Sequence, residues 1–80
     1  MKASIDKEFI RLFGQNLRKI RESKKMSMQS LADSINVEYS QISRIERGVI
    51  NTSIGVAYAI SQALEIEITE LFSFEIKKSS

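Results

Sequence analysis

The segment "SINVEYSQISRIERG", residues 34 to 48, combines a short apolar stripe with a polar arc that contains no acidic side chain. At about 100° per residue, Ile42 and Ile45 point to one side of a helix. The opposite side holds Tyr39, Ser40, Ser43, Arg44 and Arg47. Isolated helices shorter than about 12–15 residues are barely stable in water. The apolar side must therefore pack on other helices, which leaves the polar side for solvent or a partner.

The composition limits the kinds of protein that this chain can be. Eighty residues suit one small domain, which we take as residues 1–80. The sequence has no cysteine and no histidine, so it lacks the usual metal ligands and the usual general base. The carboxylates are scattered and no nucleophile has a suitable base beside it. We therefore expect no enzyme activity, no cofactor and no metal site.

Hydropathy and charge add two further limits. No apolar run approaches the roughly 20 residues of a membrane span, and the N-terminal segment lacks the apolar stretch of a signal peptide. We therefore expect a cytoplasmic protein that does not bind membranes. Residues 1–51 have ten basic and six acidic side chains, whereas residues 52–80 have two basic and four acidic ones. Charge alone does not distinguish nucleic-acid binding from a solvated helix surface.

The spacing of apolar residues predicts an all-α protein of five helices. The first has an apolar stripe at three- and four-residue steps, which is typical of an amphipathic helix: Phe9, Phe13, Leu17 and Ile20. Ser27 and Ser53 are suited to cap the second and fourth helices, while Asn36 and Gly48 are suited to end the second and third. The helices are expected at residues 7–23, 28–35, 39–47, 53–64 and 68–72.

Two interpretations of the arc from Tyr39 to Arg47 stay open on the angles alone. A short helix with hydrogen-bonding groups, two guanidiniums and no acid fits the major groove of DNA. The same pattern fits an exposed polar surface that lacks acids. Glu46 lies on the flank beside Ile42, outside the arc.

The order of residues over most of the chain adds a resemblance to a known family. The stretch "LRKIRESKKMSMQSLADSINVEYSQISRIERGVINTSIGVAYAISQALEIEITELF" resembles the helix-turn-helix family of phage repressors, Cro proteins and XRE-like regulators. The match covers about residues 9–72 without a gap, and its most specific part is "ISRIERG", residues 42–48. The resemblance implies a five-helix, lambda-repressor-like DNA-binding domain. Its second and third helices, about residues 27–47, would form the helix-turn-helix.

The resemblance also implies a role for particular positions. Base contacts from the third helix would fall on Tyr39, Ser40, Gln41, Ser43 and Arg44. Contacts with the DNA backbone would come from residues around that helix: Lys24, Ser27, Gln29, Arg47, Asn51 and Thr52. Arg21 and Glu46 match a partly buried ion pair that joins the first helix to the third, for which we expect a structural role.

Several positions depart from the family pattern. Methionine stands at position 28, where the family has a glutamine that supports the DNA contact. Lys25, Asn36 and Glu65 replace glycines at the ends of helices, and Glu38 replaces the serine that usually caps the third helix. None of these changes is expected to break the fold. The missing glutamine leaves the sequence preference of the DNA-binding surface open.

The fourth helix is apolar on nearly every side, which predicts burial on more than one side. We expect a second copy of the chain to cover it, since two-fold dimers are the commonest small oligomers. The expected dimerisation region is about residues 56–76, with interface residues Val56, Ile60, Ala63, Phe72 and Phe74. The competing explanation is that the C-terminal tail folds back over the fourth helix. The alternation of Phe72, Phe74 and Ile76 also suggests a strand across the two-fold axis.

These observations lead to one main functional prediction and several alternatives. The main prediction is a sequence-specific regulator that binds double-stranded DNA as a homodimer on an inverted-repeat operator. A phage-type repressor, a restriction–modification controller and an antitoxin that represses its own operon all fit. No small-molecule effector is expected, because no residues remain for a ligand domain. The alternative from another class is a protein-interaction module on the same fold that does not bind DNA.

Overall fold

The computed structural model describes residues 6–76, which form five α-helices. These are α1 (Lys7–Ser23), α2 (Met28–Ile35), α3 (Tyr39–Glu46), α4 (Ile54–Ala63) and α5 (Ile68–Leu71). The prediction of an all-α, five-helix domain is confirmed, with boundaries within one residue of those expected. The strand suggested by Phe72, Phe74 and Ile76 is wrong for the described part of the chain, which contains no strand.

Local hydrogen bonds explain why the helices begin where they do. The Ser27 hydroxyl oxygen accepts from the Ser30 amide at 3.0 Å, and the Ser53 hydroxyl oxygen accepts from the Val56 amide at 3.1 Å. Each bond satisfies an amide that has no partner within its helix. Glu38 precedes α3 without any side-chain cap bond. Of the two helices of the helix-turn-helix, α2 therefore has a side-chain N-cap and α3 does not.

Left-handed residues follow four of the helices. Lys25, Asn36 and Glu65 have φ values of 58°, 60° and 58°, and Gly48 has a φ of 73°. A glycine adopts this conformation freely, because it has no Cβ atom. Any other residue is strained there, because its Cβ atom clashes with the backbone. Asparagine tolerates the region better than most residues. The strain therefore falls mainly on Lys25 and Glu65.

The core contains side chains from every helix and explains the orientation of α3. Seven large side chains are at most 1% exposed: Leu17, Leu31, Ile42, Ile45, Ile60, Leu64 and Leu71. As expected, Ile42 and Ile45 face inward, where α3 packs on α1 and α2. Gly14 allows this approach, because a Cβ atom there would lie 2.7 Å from the Glu46 carbonyl oxygen.

The C-terminal segment packs on α1. The Phe72 ring lies 5.0 Å from the Phe13 ring and 6.2 Å from the Phe9 ring, measured between centroids, and Phe74 lies 5.2 Å from Phe9. The Asn16 side-chain amide donates to the carbonyl oxygens at the end of α5, at 2.8 and 2.9 Å. The described part of the tail, residues 72–76, therefore packs on α1 rather than over the exposed side of α4, and the rest of the tail lies outside the described residues.

Helix α4 has one buried side and one exposed side. Ile60 is fully buried in the chain's own core, so its expected place in a dimer interface is wrong. Val56 and Ala63 are half-buried and pack against the core. The apolar residues that α4 exposes are instead Ile54, at 86%, and Tyr58, at 53%. The assignment of Ile60 to a partner is therefore wrong, whereas the dimer interface itself stays a prediction.

Candidate nucleic-acid interface

Helix α3 presents the polar arc outward. Tyr39, Ser40 and Arg44 are exposed, and Gln41 and Ser43 are partly exposed. The buried Ile42 and Ile45 fix the rotation of the helix about its own axis, since both lie in the core. The five positions to which the resemblance assigns base contacts therefore occur together on the accessible part of α3.

A buried ion pair holds α3 against α1. The Arg21 Nε donates to Glu46 Oε2 at 2.6 Å, and Nη2 donates to Oε1 at 3.0 Å. The two side chains are 9% and 4% exposed. The hydrogen bonds to Glu46 raise the pKa of Arg21 above its ordinary value, so the guanidinium remains charged. The structure thus brings together the pair that the sequence suggested.

The same pair shapes the electrostatics of the exposed surface. Glu46 is the acidic residue of α3, and its carboxylate is buried and neutralised by Arg21. The third Arg21 nitrogen, Nη1, donates to the Met26 carbonyl oxygen at 2.7 Å, which ties the turn before α2 to the same cluster. As a result, the positive charges of Arg44 in α3 and of Arg47, which follows α3, are not opposed by an accessible acidic side chain of that helix.

The residues expected to contact the DNA backbone lie around α3, but not all of them are free. Lys24, Gln29, Arg47 and Asn51 are exposed. The Gln29 amide nitrogen donates to Asp33 at 2.8 Å, and the Asn51 side-chain oxygen accepts from the backbone amide of residue 52 at 2.9 Å.

Two of the predicted backbone contacts have restricted side chains. The Ser27 hydroxyl oxygen already caps α2, although its hydrogen can still be donated to an acceptor such as a phosphate oxygen. The Thr52 hydroxyl oxygen is buried and has no hydrogen-bond partner within the described residues. This hydroxyl is therefore inaccessible to a phosphate in the structure of the free chain, and the contact suggested for Thr52 stays a prediction.

Sequence reasoning missed a groove between α1 and α3, which we call the α1–α3 groove. Its walls include Arg11, Gln15 and Arg18 from α1 on one side, and on the other Ser43 from α3 and Arg47, the residue that follows α3. Met28, the first residue of α2, also lines it. The spacing of the three α1 residues, at steps of four and three, was the available signal for a shared surface.

A second feature missed from the sequence is an apolar cleft where α1, α4 and the end of α5 meet, which we call the α1–α4 cleft. Its lining includes Phe9, Phe13, Ile50, Ile54 and Phe72. Ile54 is 86% exposed and Phe72 is 43% exposed. Of the residues predicted for a dimer interface, Phe72 therefore lies on exposed apolar surface, whereas Val56, Ala63 and Phe74 are only partly accessible.

Comparison with known proteins decides the family. The sequence profile described as helix-turn-helix matches residues 17–71, which include all of α2, α3, α4 and α5. This chain belongs to the helix-turn-helix family. The family includes HTH-type transcriptional regulators and restriction–modification controller proteins, and the resemblance recognised in the sequence is confirmed. These relatives are regulators rather than enzymes.

Individual helix-turn-helix relatives differ in how much of their length the chain spans. The control protein C.BamHI of Bacillus amyloliquefaciens is 42% identical over 64 residues, which cover 79% of each chain. SlrR of Bacillus subtilis is 40% identical over 65 residues, which cover 80% of this chain but 43% of SlrR. A regulator of Sinorhizobium fredii is likewise longer, and the chain spans 46% of it.

A solved controller structure supports the fold directly. The restriction-modification controller protein C.AhdI from Aeromonas hydrophila superimposes with a TM-score of 0.77 at 36% sequence identity. The match covers 79% of this chain and 96% of that protein. Within residues 6–76, none of the helices has the length and apolar character needed to cross a bilayer.

Proposed function

We propose that this helix-turn-helix protein is a sequence-specific transcriptional regulator of the restriction–modification controller type, and that it binds an inverted-repeat operator as a homodimer. The observation that supports this most is the outward polar arc of α3. Two buried isoleucines fix its orientation, and the acidic side chain of α3, Glu46, is buried and neutralised by Arg21. The similarity to two controller proteins, C.BamHI at 42% identity and C.AhdI at 36% identity, supports the controller type.

In this proposal α3 enters the major groove and Arg44 makes the main base contact. A guanidinium fits the O6 and N7 acceptors of guanine with two hydrogen bonds. The amide of Gln41 can pair in the same way with adenine, while Ser40 and Ser43 can each donate or accept. Tyr39, which is 45% exposed, lies at the start of α3 where it can contact a thymine methyl group or a phosphate.

Contacts with the DNA backbone would orient α3 without specifying sequence. Arg47 lies one turn beyond Ser43 on the same side of α3, and Asn51 lies in the loop that follows. Lys24, Ser27 and Gln29 lie at the turn before α2 and in its first residues. The free amides at the start of α2 point a partial positive charge outward, which favours a phosphate group there.

The homodimer is supported by exposed apolar surface on α4 and beside it. Ile54, Tyr58 and Phe72 are each more than 40% exposed, and Ile54 and Phe72 line the α1–α4 cleft. A two-fold axis through this surface would bury the same residues from both copies. Binding to an inverted repeat then requires the two α3 helices of the dimer to lie about 34 Å apart.

The same cleft favours a second candidate, a module that binds another protein through apolar contacts. Both candidates need a partner for Ile54, so exposure alone does not separate them. Only the DNA-binding candidate also needs the arc of α3. A mutant of α3 that changes DNA binding without changing association would favour the first candidate.

The test is to select bound sites from a pool of random DNA duplexes. We expect an inverted repeat whose half-site centres lie about one helical turn apart, because a two-fold dimer places its recognition helices that way. Enrichment of a single half-site at every protein concentration would contradict the dimer. The absence of any enriched sequence would contradict sequence-specific binding altogether.

A further inference from the structure

The α1–α3 groove has guanidinium groups on both walls. Arg11 and Arg18 lie on the α1 wall, and Arg47 lies on the α3 wall. Arg11 and Arg18 are seven residues apart, so they share one face of α1 and are separated by about 10.5 Å along its axis. The groove is therefore an extended basic surface that runs along α1, rather than a point of positive charge.

The basic groups of the α1 wall can accept a new partner. Arg11 pairs with Glu8 at 2.8 Å and Arg18 pairs with Glu22 at 3.2 Å, with side-chain exposures between 47% and 65%. Exposed pairs of this kind contribute little to stability, because water competes with both partners. A phosphate oxygen can therefore replace the carboxylate at small cost. The carboxylate of Glu46, which also lines the groove, is already neutralised by its buried arginine partner.

The α3 wall joins the groove to the proposed DNA-binding surface. Ser43 and Arg47 belong both to this wall and to the polar arc of α3. The Arg47 Nε donates to the Ser43 hydroxyl oxygen at 3.3 Å. Among residues 6–76, the ion pairs involve Arg11, Arg18 and Arg21 but not Arg47. The sugar-phosphate backbone next to the bases contacted by α3 would therefore continue past Ser43 and Arg47 into the groove.

We infer that the α1–α3 groove holds the phosphates of one DNA strand beside the bases contacted by α3, so that Arg11 and Arg18 extend the DNA footprint onto α1. This inference rests on the proposed function. The separation of the two arginines is large enough for them to contact different phosphates of one strand, whose charges repeat about every 3.4 Å along the duplex axis. Such contacts are electrostatic, so they raise the affinity for every duplex and steepen its dependence on salt.

The first test compares salt dependence in the double variant Arg11→Gln/Arg18→Gln with that of the wild type. Each lost phosphate contact lowers the slope of log affinity against log salt by about 0.9. Between 50 and 200 mM salt, the wild-type affinity should therefore fall about 12-fold more than that of the double variant. The matched control is Lys19→Gln, which removes an exposed charge of α1 outside the groove. We expect the control to keep the wild-type slope.

The second test identifies the strand. Neutral methylphosphonate linkages are placed one at a time beside each selected half-site. We expect at least one of them to weaken wild-type binding and to have no effect on binding by the double variant Arg11→Gln/Arg18→Gln. Equal losses for both proteins at every linkage would overturn the inference, as would a wild-type salt slope in the double variant. Failure of the wild type to bind any duplex would instead overturn the proposed function.

Discussion

Removal of the Glu46 carboxylate tests how the recognition helix is held in place. In Glu46→Ala, two nitrogens of Arg21 lose their acceptors, which now lie at 2.6 and 3.0 Å. The Met26 carbonyl remains as a partner at 2.7 Å but carries no charge. The guanidinium cannot lose its proton at ordinary pH, and its side chain is 9% exposed. It must therefore stay buried without a counter-charge or separate α1 from α3 to reach water.

The expected loss is large for a domain of this size. Removing one partner of a buried ion pair costs about 3–5 kcal/mol. A total stability of roughly 4–12 kcal/mol follows from 0.05–0.15 kcal/mol per residue for 80 residues. At about 4–8 °C per kcal/mol, the melting temperature should fall by roughly 12–40 °C. The measurement is urea and thermal unfolding followed by circular dichroism, in which Glu46→Ala should show the lower free energy of unfolding and the lower melting temperature.

The control is a second arginine–glutamate pair with two hydrogen bonds. Arg11 donates to Glu8 at 3.1 and 2.8 Å, but these side chains are 47% and 52% exposed. Glu8→Ala should therefore cost at most about 1 kcal/mol. The double variant Arg21→Met/Glu46→Leu should recover most of the loss, because an apolar pair leaves no buried charge. Equal losses in Glu46→Ala and Glu8→Ala would refute the argument that burial makes the Arg21–Glu46 pair decisive.

Three further predictions concern backbone strain, helix packing and association. Glu65→Gly should stabilise the protein by about 0.5–1 kcal/mol in thermal unfolding, because relief of the left-handed strain exceeds the entropy cost of glycine; a loss would show that this residue is not strained. Gly14→Ala should destabilise by about 1–3 kcal/mol through overpacking against α3. Gly55→Ala, whose added Cβ atom would lie 3.9 Å from the Ser53 hydroxyl oxygen without a clash, should stabilise by about 0.5–1 kcal/mol; equal effects in unfolding would contradict the close contact at Gly14. Ile54→Ser should weaken dimerisation at least tenfold in sedimentation measurements. The control is Val49→Ser, because Val49 is also exposed but lies outside the α1–α4 cleft, and it should leave dimerisation unchanged. Unaltered association in both variants would contradict the proposed interface.

The helix boundaries could be predicted because the signals for them are local. Ser27 and Ser53 cap their helices through bonds to amides three residues later, and the apolar periodicity of α1 identifies its buried side. The left-handed conformation of Asn36 was likewise expected from its residue type and position. These features depend on neighbours within about one helical turn, which the sequence displays directly.

The errors arose where the answer depends on distant residues. Helix α4 is apolar on most sides, so its sequence does not state which side meets the core and which side stays exposed. Ile60 was therefore assigned to a partner although it is fully buried, and the exposure of Ile54 was missed. The packing of Phe72 on Phe9 joins residues more than 60 positions apart, and no local pattern predicts such a pairing.

The part of the candidate site that depends on a single helix could be predicted, whereas the part that depends on packing between helices could not. The arc of α3 follows from angles within one helix, so Arg44 and its neighbours could be assigned to one surface. The α1–α3 groove requires the crossing of two helices, which depends on the close approach at Gly14. Arg11 and Arg18 could therefore be placed on one side of α1, but not opposite Arg47.

The most direct test of DNA recognition by α3 is the affinity of Arg44→Ala for the selected operator and for an unrelated duplex. Arg44 is exposed and lies outside the core, so its removal should change stability by no more than about 0.5 kcal/mol. Loss of a two-bond contact with a base should cost about 1–3 kcal/mol of operator affinity and relax the preference at one base pair in each half-site. The control Lys24→Ala should weaken binding to both duplexes alike. If Arg44→Ala binds both duplexes with wild-type affinity, the assignment of base contacts to α3 is contradicted.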